Sequence, residues 1–256
     1  MKRNKWIGVM VLSAAMMFGV TACGGGNKTG TDTVAQSEAQ GAEEEADAQD
    51  TVDEDTVPVS DIEYFELKYS EEYKESYGIN TDTDVTIDGC KNPDQYKTLV
   101  IPEEIDGHTV SMIGLADFGS SMRVVFPLNE DGKSYATVEK LVIPDTVKAI
   151  GNNGIGFNDN LKEVEFGNGI VKIDKHAFLC SSRSLEKLVL PSSLKSVGEG
   201  AFGLCTDITF TGENLEEYDR ACVEGSTIRV PAGSQTEEVI REALAGDEDK
   251  FTIIAE

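Results

Sequence analysis

The 256-residue sequence is short of the side chains from which most active sites are made, with two histidines, one tryptophan and five cysteines. Neither His108 nor His176 falls in a His-Glu-x-x-His pattern and no Cys-x-x-Cys pair occurs, so the spacings that announce a zinc site are missing. No Gly-x-Ser-x-Gly is present to set up a serine nucleophile. The glycine-rich run Gly151-Asn152-Asn153-Gly154-Ile155-Gly156 lacks the Lys-Ser/Thr that completes a phosphate loop. Asp82, Asp84 and Asp88 approach calcium-loop spacing without the glycine at the sixth position or the closing glutamate. The expectation is a protein that is not an enzyme, with no metal and no cofactor.

Positive charge is scarce as well. Lys and Arg number 22 against 47 Asp and Glu, a formal net charge of -25. Lys2, Arg3 and Lys5 give the leading segment +3, and the 24–60 stretch carries -9 (one lysine against ten acids), so residues 61–256 hold -19. Such a surface disfavours nucleic acid and anionic lipid.

Long apolar runs are absent but for one at the start. The basic residues precede an apolar run over residues 6–20, shorter than the roughly 20 residues that span a bilayer, and Val20-Thr21-Ala22-Cys23 follows. This resembles a bacterial lipobox, which implies that residues 1–22 are a lipoprotein signal peptide and that Cys23 is the lipidation site. Two acyl chains hold a protein to a membrane where one is marginal. The expected location is extracytoplasmic, lipid-anchored to the bacterial cell membrane and exposed at the cell surface. Residues 23–60 hold almost no large apolar side chains and are expected to form a disordered acidic linker, a solvated spacer rather than a calcium sponge.

What is present is repetition. In the 185–205 segment, Leu185, Leu188 and Leu190 follow L-x-x-L-x-L, Pro191 ends the strand, Leu194, Val197 and Gly198 follow, and Ala201-Phe202 and Cys205 close the unit. The phrase recurs every 20 to 25 residues or so, the mark of a solenoid. Copies open at Tyr96, Val138 and Leu161, and a degraded one runs through Ile208, Phe210, Leu215, Tyr218 and Ala221-Cys222. A weak copy is expected at Val124-Val125-Phe126-Pro127, and a last strand at Ile228-Arg229-Val230.

These units resemble the BspA-like leucine-rich repeat family, over about residues 84–231, most closely in the unit opened by Leu185. The resemblance implies a repeat solenoid, leucine-rich repeat-like and β-rich with parallel strands and short turns. It also implies a binding role in adhesion and host or interbacterial contact. Residues 61–95 are expected as an N-terminal β cap, with tyrosines (Tyr64, Tyr69, Tyr73, Tyr77) that cover the stack or else line a site. Residues 96–231 form the solenoid, and residues 232–256 a C-terminal helix cap begun by a Ser234/Glu237 capping box. Cys90, Cys180, Cys205 and Cys222 are expected as free buried thiols, the last three in one column, with disulfides the alternative.

Alternation along each strand places a strip of side chains outside the core: Thr98/Val100, Arg123/Val125, Lys140/Val142, Glu163/Glu165, Lys187/Val189, Asp207/Thr209 and Thr227/Arg229. Valines repeated on a solvent face point to a contact surface, although strand propensity also favours valine. The strip, with Val100, Val125, Lys140, Val142, Glu163, Glu165, Lys187, Val189 and Arg229, is the expected partner-binding face for a protein or glycan ligand. The competing reading is an accessory envelope protein that binds a component of its own cell.

Overall fold

The computed structural model describes residues 54–67, 78–80, 82–114, 125–181 and 183–256. Cys23, the apolar run before it, most of the acidic stretch, Tyr69, Tyr73, Tyr77, Phe118, Arg123 and Val124 lie outside these residues. A 3-10 turn at Val59–Asp61 leads to strands β1 (Ile62–Glu66), β2 (Val85–Cys90), β3 (Thr98–Val100), β4 (Glu104–Ile105) and β5 (His108–Ile113). There follow β6 (Lys140–Ile143), β7 (Ala149–Ile150), β8 (Glu163–Phe166), β9 (Lys172–Ile173), β10 (Lys187–Leu190) and β11 (Ser196–Val197). The chain ends with β12 (Asp207–Phe210), β13 (Glu217–Tyr218), β14 (Thr227–Val230), helix α1 (Gln235–Ala243) and β15 (Thr252–Ala255).

The result is a succession of stacked coils, a β-solenoid of parallel strands. The coils opened by β6, β8, β10 and β12 each give a four-residue strand to one face, turn, and give a two-residue strand to a second sheet; the coil opened by β3 gives that sheet the longer β5. The second sheet runs unbroken through β1-β2-β5-β7-β9-β11-β13, all parallel from β2 onward. Its rungs continue past the strands: Gly151 N–H donates to Ile113 O (2.7 Å), Asp174 N–H to Ile150 O (2.8 Å), and Gly198 N–H to Ile173 O (2.9 Å). A third column ties the turns, with Val125 N–H donating to Gly154 O (3.0 Å), Ile155 to Ala177 (2.9 Å), Phe178 to Ala201 (2.9 Å) and Phe202 to Ala221 (3.1 Å). The inward residues Leu141, Ile150, Phe178, Leu188 and Phe202 are buried in one continuous core. Phe166 and Phe178 meet edge to face at 6.2 Å, as do Phe202 and Phe210.

The long-strand face, in contrast, is two sheets, β3-β6-β8 and β10-β12-β14-β15. No ladder joins β8 to β10. The coils also differ in size. Between the third-column residue and the next strand the chain takes residues 156–162 and 179–186 in the earlier coils but only 203–206 and 223–226 in the later ones. A wide coil and a narrow one superpose along the second sheet and the turn column. The strands reached by the long and the short leg, β10 and β12, pair in full register, so leg length does not by itself make the break. At this seam the inward side chains Val164 and Phe166 are only half-buried, whereas Leu141, Ile143, Leu188 and Leu190 are buried.

Several expectations are corrected. Val125 opens no repeat: it is 0 % exposed and fills the third-column position shared with Ile155, Phe178 and Phe202, so it closes the first coil and β3 pairs directly with β6. The cysteines do not form one column. Cys180 lies two residues after Phe178, has a left-handed backbone (φ 59°) and is exposed; Cys205 lies three after Phe202; Cys222 takes the phenylalanine position itself. Ser181 is the residue that matches Cys205, buried with its hydroxyl donating to Ile155 O and accepting from Asn158 N–H (2.9 Å). Residues 54–60, expected at the end of the linker, are docked on the fold: Thr56 bridges Thr98, Val57 is buried, and Thr98 N–H donates to Asp55 O (3.0 Å).

The ends follow from local chemistry. β1 runs antiparallel to β2, and β2 joins the second sheet beside β5. At the other end Ser234 Oγ accepts from Glu237 N–H (3.1 Å) and the Glu237 carboxylate accepts from Gly233 N–H (2.9 Å), a capping pair shifted by one donor. Thr236, fully buried, anchors the helix by donating to Gly212 O (2.7 Å) and accepting from Leu215 N–H (3.1 Å). β15 then adds in parallel to β14.

Candidate interaction surface

Parallel pairing sets the outward side chains of the long strands in two files. Register places Thr98, Lys140 and Glu163 in one and Val100, Val142 and Glu165 in the other. On the far side of the seam, Lys187, Asp207 and Thr227 stand in one file and Val189, Thr209 and Arg229 in another. The sequence strip is thus assembled, apart from Val125, which belongs to the core, and Arg123, which lies outside the described residues. Val100 is 41 % exposed and Val189 47 % exposed, while Val142 is half-buried.

The charges on the strip largely neutralise one another. Lys140 Nζ reaches Glu163 (3.5 Å) and Glu165 (2.5 Å), and Arg229 pairs with Asp207. Beside the strip, Glu139 accepts from Lys162 (2.8 Å) and Lys97 (3.2 Å). The hydrogen bond from Lys162, then that from Lys97, holds the Glu139 carboxyl below the usual carboxylate range, and the bond from Lys140 does the same for Glu165. Exposed pairs of this kind add little stability, so they shape the surface more than they stabilise it. Lys187 makes no ion pair among the described residues. Two exposed valines and one unpaired cation therefore stand among internally paired charges.

Elsewhere the geometry is structural. His108 Nδ1 lies 2.9 Å from Thr83 O, and His176 holds a left-handed turn (φ 55°) beside Gly200. Gly151 to Gly156 form the turn between the second sheet and the third column. Among the described residues no three metal-ligating side chains converge. Burial pushes the thiols of Cys90 and Cys222 up to about 12 and that of Cys205 up to about 11, which keeps them protonated and unreactive. All four cysteines of the described region are free. An open groove of about 610 Å³ lies between β9, β11, β13 and α1, and four of its carboxylates have partners: Asp174 in Lys172, Glu199 in Lys175, Glu216 in Lys195 and Glu217 in Ser196.

Sequence reading missed the polar ladder of the wide coils. Asn158 Nδ2 donates to Val138 O (2.7 Å), Asn160 Nδ2 to Ala136 O (2.8 Å), and Ser184 Oγ to Asp159 O (2.6 Å). The available signal was the pair of asparagines two residues apart in the long return leg, the first at the position held by Ser181 and Cys205 in the next two units.

The chain resembles three solved structures at low identity. A Treponema pallidum leucine-rich repeat protein shares 23 % identity at TM-score 0.47, covering 62 % of this chain and 69 % of that one. The pneumococcal vaccine antigen PcpA shares 21 % at TM-score 0.38, covering 57 % and 36 %, and a Bacteroides ovatus leucine-rich repeat protein shares 18 % at 0.37, covering 68 % and 47 %. No curated protein sequence matches the chain. The family model described as BspA type leucine rich repeat region matches residues 133–243 in six copies. Those residues are the stacked coils from β6 to α1, so the repeat region of this chain belongs to the BspA-type leucine-rich repeat family.

Proposed function

We infer that this chain is an interaction protein, displayed outside the cytoplasm on a lipid attached at Cys23, whose long-strand face meets a protein partner. The observation that carries the reading is the exposure of Val100 and Val189 on a file whose neighbouring charges are already paired with one another. Apolar side chains held in water on a rigid lattice lose less conformational freedom on binding than a flexible surface does, and desolvating them is favourable. Leucine-rich repeats present extended faces of this type, and the family is one of interaction modules rather than catalysts. The acidic stretch ahead of residue 54 serves as the spacer between lipid and solenoid.

The test is chemical crosslinking on intact cells that carry the full chain. The double change Val142→Lys, Val189→Lys should fold normally and lose the crosslinked partner; a normally folded double variant that still captures it removes this face from consideration. Fatty-acid labelling should disappear in Cys23→Ala. Protease shaving should release the repeat region if it faces outward, whereas retention beneath the wall favours an accessory role within the envelope.

A further inference from the structure

A strand at the outer end of a sheet leaves a row of backbone N–H and C=O groups unpaired, and proteins blunt such edges with bulges, charge or cover. Three of the outer ends here are blunted. β1 is bulged between Glu63 and Tyr64 and carries Glu63 and Glu66. β13 has α1 packed against it. β3 is closed by residues 55–57, where Thr56 bridges Thr98 and Val57 N–H donates to Thr98 O (2.9 Å). β15 has none of these devices. It is the last strand of its sheet and reads Thr-Ile-Ile-Ala, in regular register with β14 and without bulge, charge or proline. Thr252 N–H donates to Ser226 O (2.9 Å) and Glu256 N–H to Val230 O (3.1 Å), so even-numbered residues serve β14. The backbone groups of Ile253 and Ala255 therefore point away from the sheet, and no strand among the described residues meets them.

We propose that β15 pairs antiparallel with β15 of a second copy of the chain, about a two-fold axis at Ile254. In that sense the edge is its own complement. Ile253 meets Ala255 of the second copy and Ala255 meets its Ile253, each pair exchanging both backbone bonds, so every outward group on the two strands is used. On the core side a large side chain then lies opposite a small one, and Ile253 already packs half-buried against the core. On the outer side Ile254, half-buried beside Arg229, faces its own equivalent across the axis. The far end of the long-strand face decides that joining stops at two. With β3 bridged by Thr56, no copy can stack head to tail on β15, and only the isologous contact remains. A four-residue edge buries less than the roughly 1,000 Å² of a stable interface, and each copy carries -19 over residues 61–256, so the pair is weak and held by backbone and apolar contact rather than charge. Copies concentrated on one membrane, in the lipid-anchored reading above, would meet far more often. The two long-strand faces then form one continuous sheet.

The test is directed disulfide crosslinking on cells that carry the full chain with Cys180→Ser, which removes the exposed thiol of the described residues. Opposed residues of a non-hydrogen-bonded antiparallel pair lie about 4.5 Å apart at Cα, within disulfide range. Ile254→Cys should therefore give a disulfide-linked dimer on mild oxidation. Thr252→Cys should not, because the axis offsets the two copies of that residue by roughly 14 Å along the strands. Adding Ala255→Pro removes an N–H that β14 does not use, so melting should be unchanged while the crosslink falls about tenfold or more. In sedimentation equilibrium the purified full chain should shift toward dimer as protein concentration rises and as salt screens the repulsion, and Ile254→Lys, which sets like charges face to face on the outer side, should stay monomeric. Equal crosslinking at Thr252 and Ile254 overturns the pairing, as does a crosslink that survives Ala255→Pro or a chain that is monomeric at every concentration and gives no crosslink. A disulfide from Ile254→Cys to a different protein overturns the second copy and gives the edge to a partner strand.

Discussion

The second sheet and the long-strand face are built by the same coils, yet one is continuous over seven strands and the other splits in two. The two kinds of connection also differ. From long strand to short strand the chain takes 144–148, 167–171 and 191–195, five residues each, and 211–216, six. The return leg from short strand to the next long strand takes 151–162, 174–186, 198–206 and 219–226, so it shortens after β11. The strands that follow the long and the short return, β10 and β12, still pair in register, so the length difference is absorbed within the return itself. The comparison teaches that in this solenoid, surface variety is generated on the long-strand side while the second sheet keeps the stack in order.

The comparison can be broken most forcefully at Phe178, which is fully buried at the junction of the last wide coil and the first narrow one, against Phe166. Phe178→Ala should cost about 3 to 5 kcal/mol, the usual range for emptying an aromatic core position. Because the third column and the second sheet are what hold the coils together across the seam, hydrogen exchange should accelerate in β8 and β10 more than in β12 and β14. Thermal melting equal to wild type would mean that Phe178 does not belong to the stack as described.

A smaller effect tests the leg from long strand to short strand. Gly169 lies there, and a Cβ at this position would run into the carbonyl oxygen of Asp145 in the coil before. Gly198 and Gly212 approach Lys175 N and Ser192 O in the same manner. None of these three has a positive φ, so they are glycine for the spacing between coils and not for backbone freedom. Gly169→Ala should destabilise by about 1 to 3 kcal/mol through overpacking. Urea denaturation measures it, and a loss below that of a surface substitution would show that adjacent coils can separate at this leg without penalty.

Much of this architecture was legible because the repeat spells it out. L-x-x-L-x-L, proline and Ile-Gly each map to one structural position, and Leu188, Leu190, Val197 and Phe202 are buried as alternation requires. The strip was legible for the same reason, being the complement of the core within each strand. Val125 was misplaced because Val-Val-Phe-Pro copies the local pattern of a strand ending in proline; what decides its position is the rung to Gly154, which only the stack reveals. The cysteine column failed through a one-residue difference, Ala-Phe-x-Cys at Cys180 against Ala-Phe-x-x-Cys at Cys205.

Smaller again is the contribution of the capping serine. Ser234→Ala removes the acceptor for Glu237 N–H and should cost about 1 kcal/mol, read as a lower denaturation midpoint with an unchanged slope. The buried Thr236 bond to Gly212 keeps α1 in place in this variant, so the second sheet should be unaffected.

The smallest effect expected is at Asp174, where the second sheet tolerates a charge that it does not favour. This residue takes the position that Gly151 and Gly198 hold in the adjacent coils, and its Oδ2 is buried without a hydrogen-bond partner among the described residues, although Oδ1 lies 3.1 Å from Lys172 Nζ. Burial raises its pKa, and the attraction of Lys172 offsets this only in part. A carboxyl whose folded pKa is raised contributes stability that is fully present below the ordinary carboxylate value and is lost as pH rises through the folded one. Asp174→Asn keeps the shape and carries no charge to bury. The variant should therefore melt with wild type at acid pH and slightly above it at neutral pH, with the gap opening upward from about pH 4. If the asparagine variant is instead less stable at neutral pH, the Lys172 pair outweighs the desolvation of Asp174, and the second sheet draws part of its continuity from that ion pair as well as from its backbone rungs.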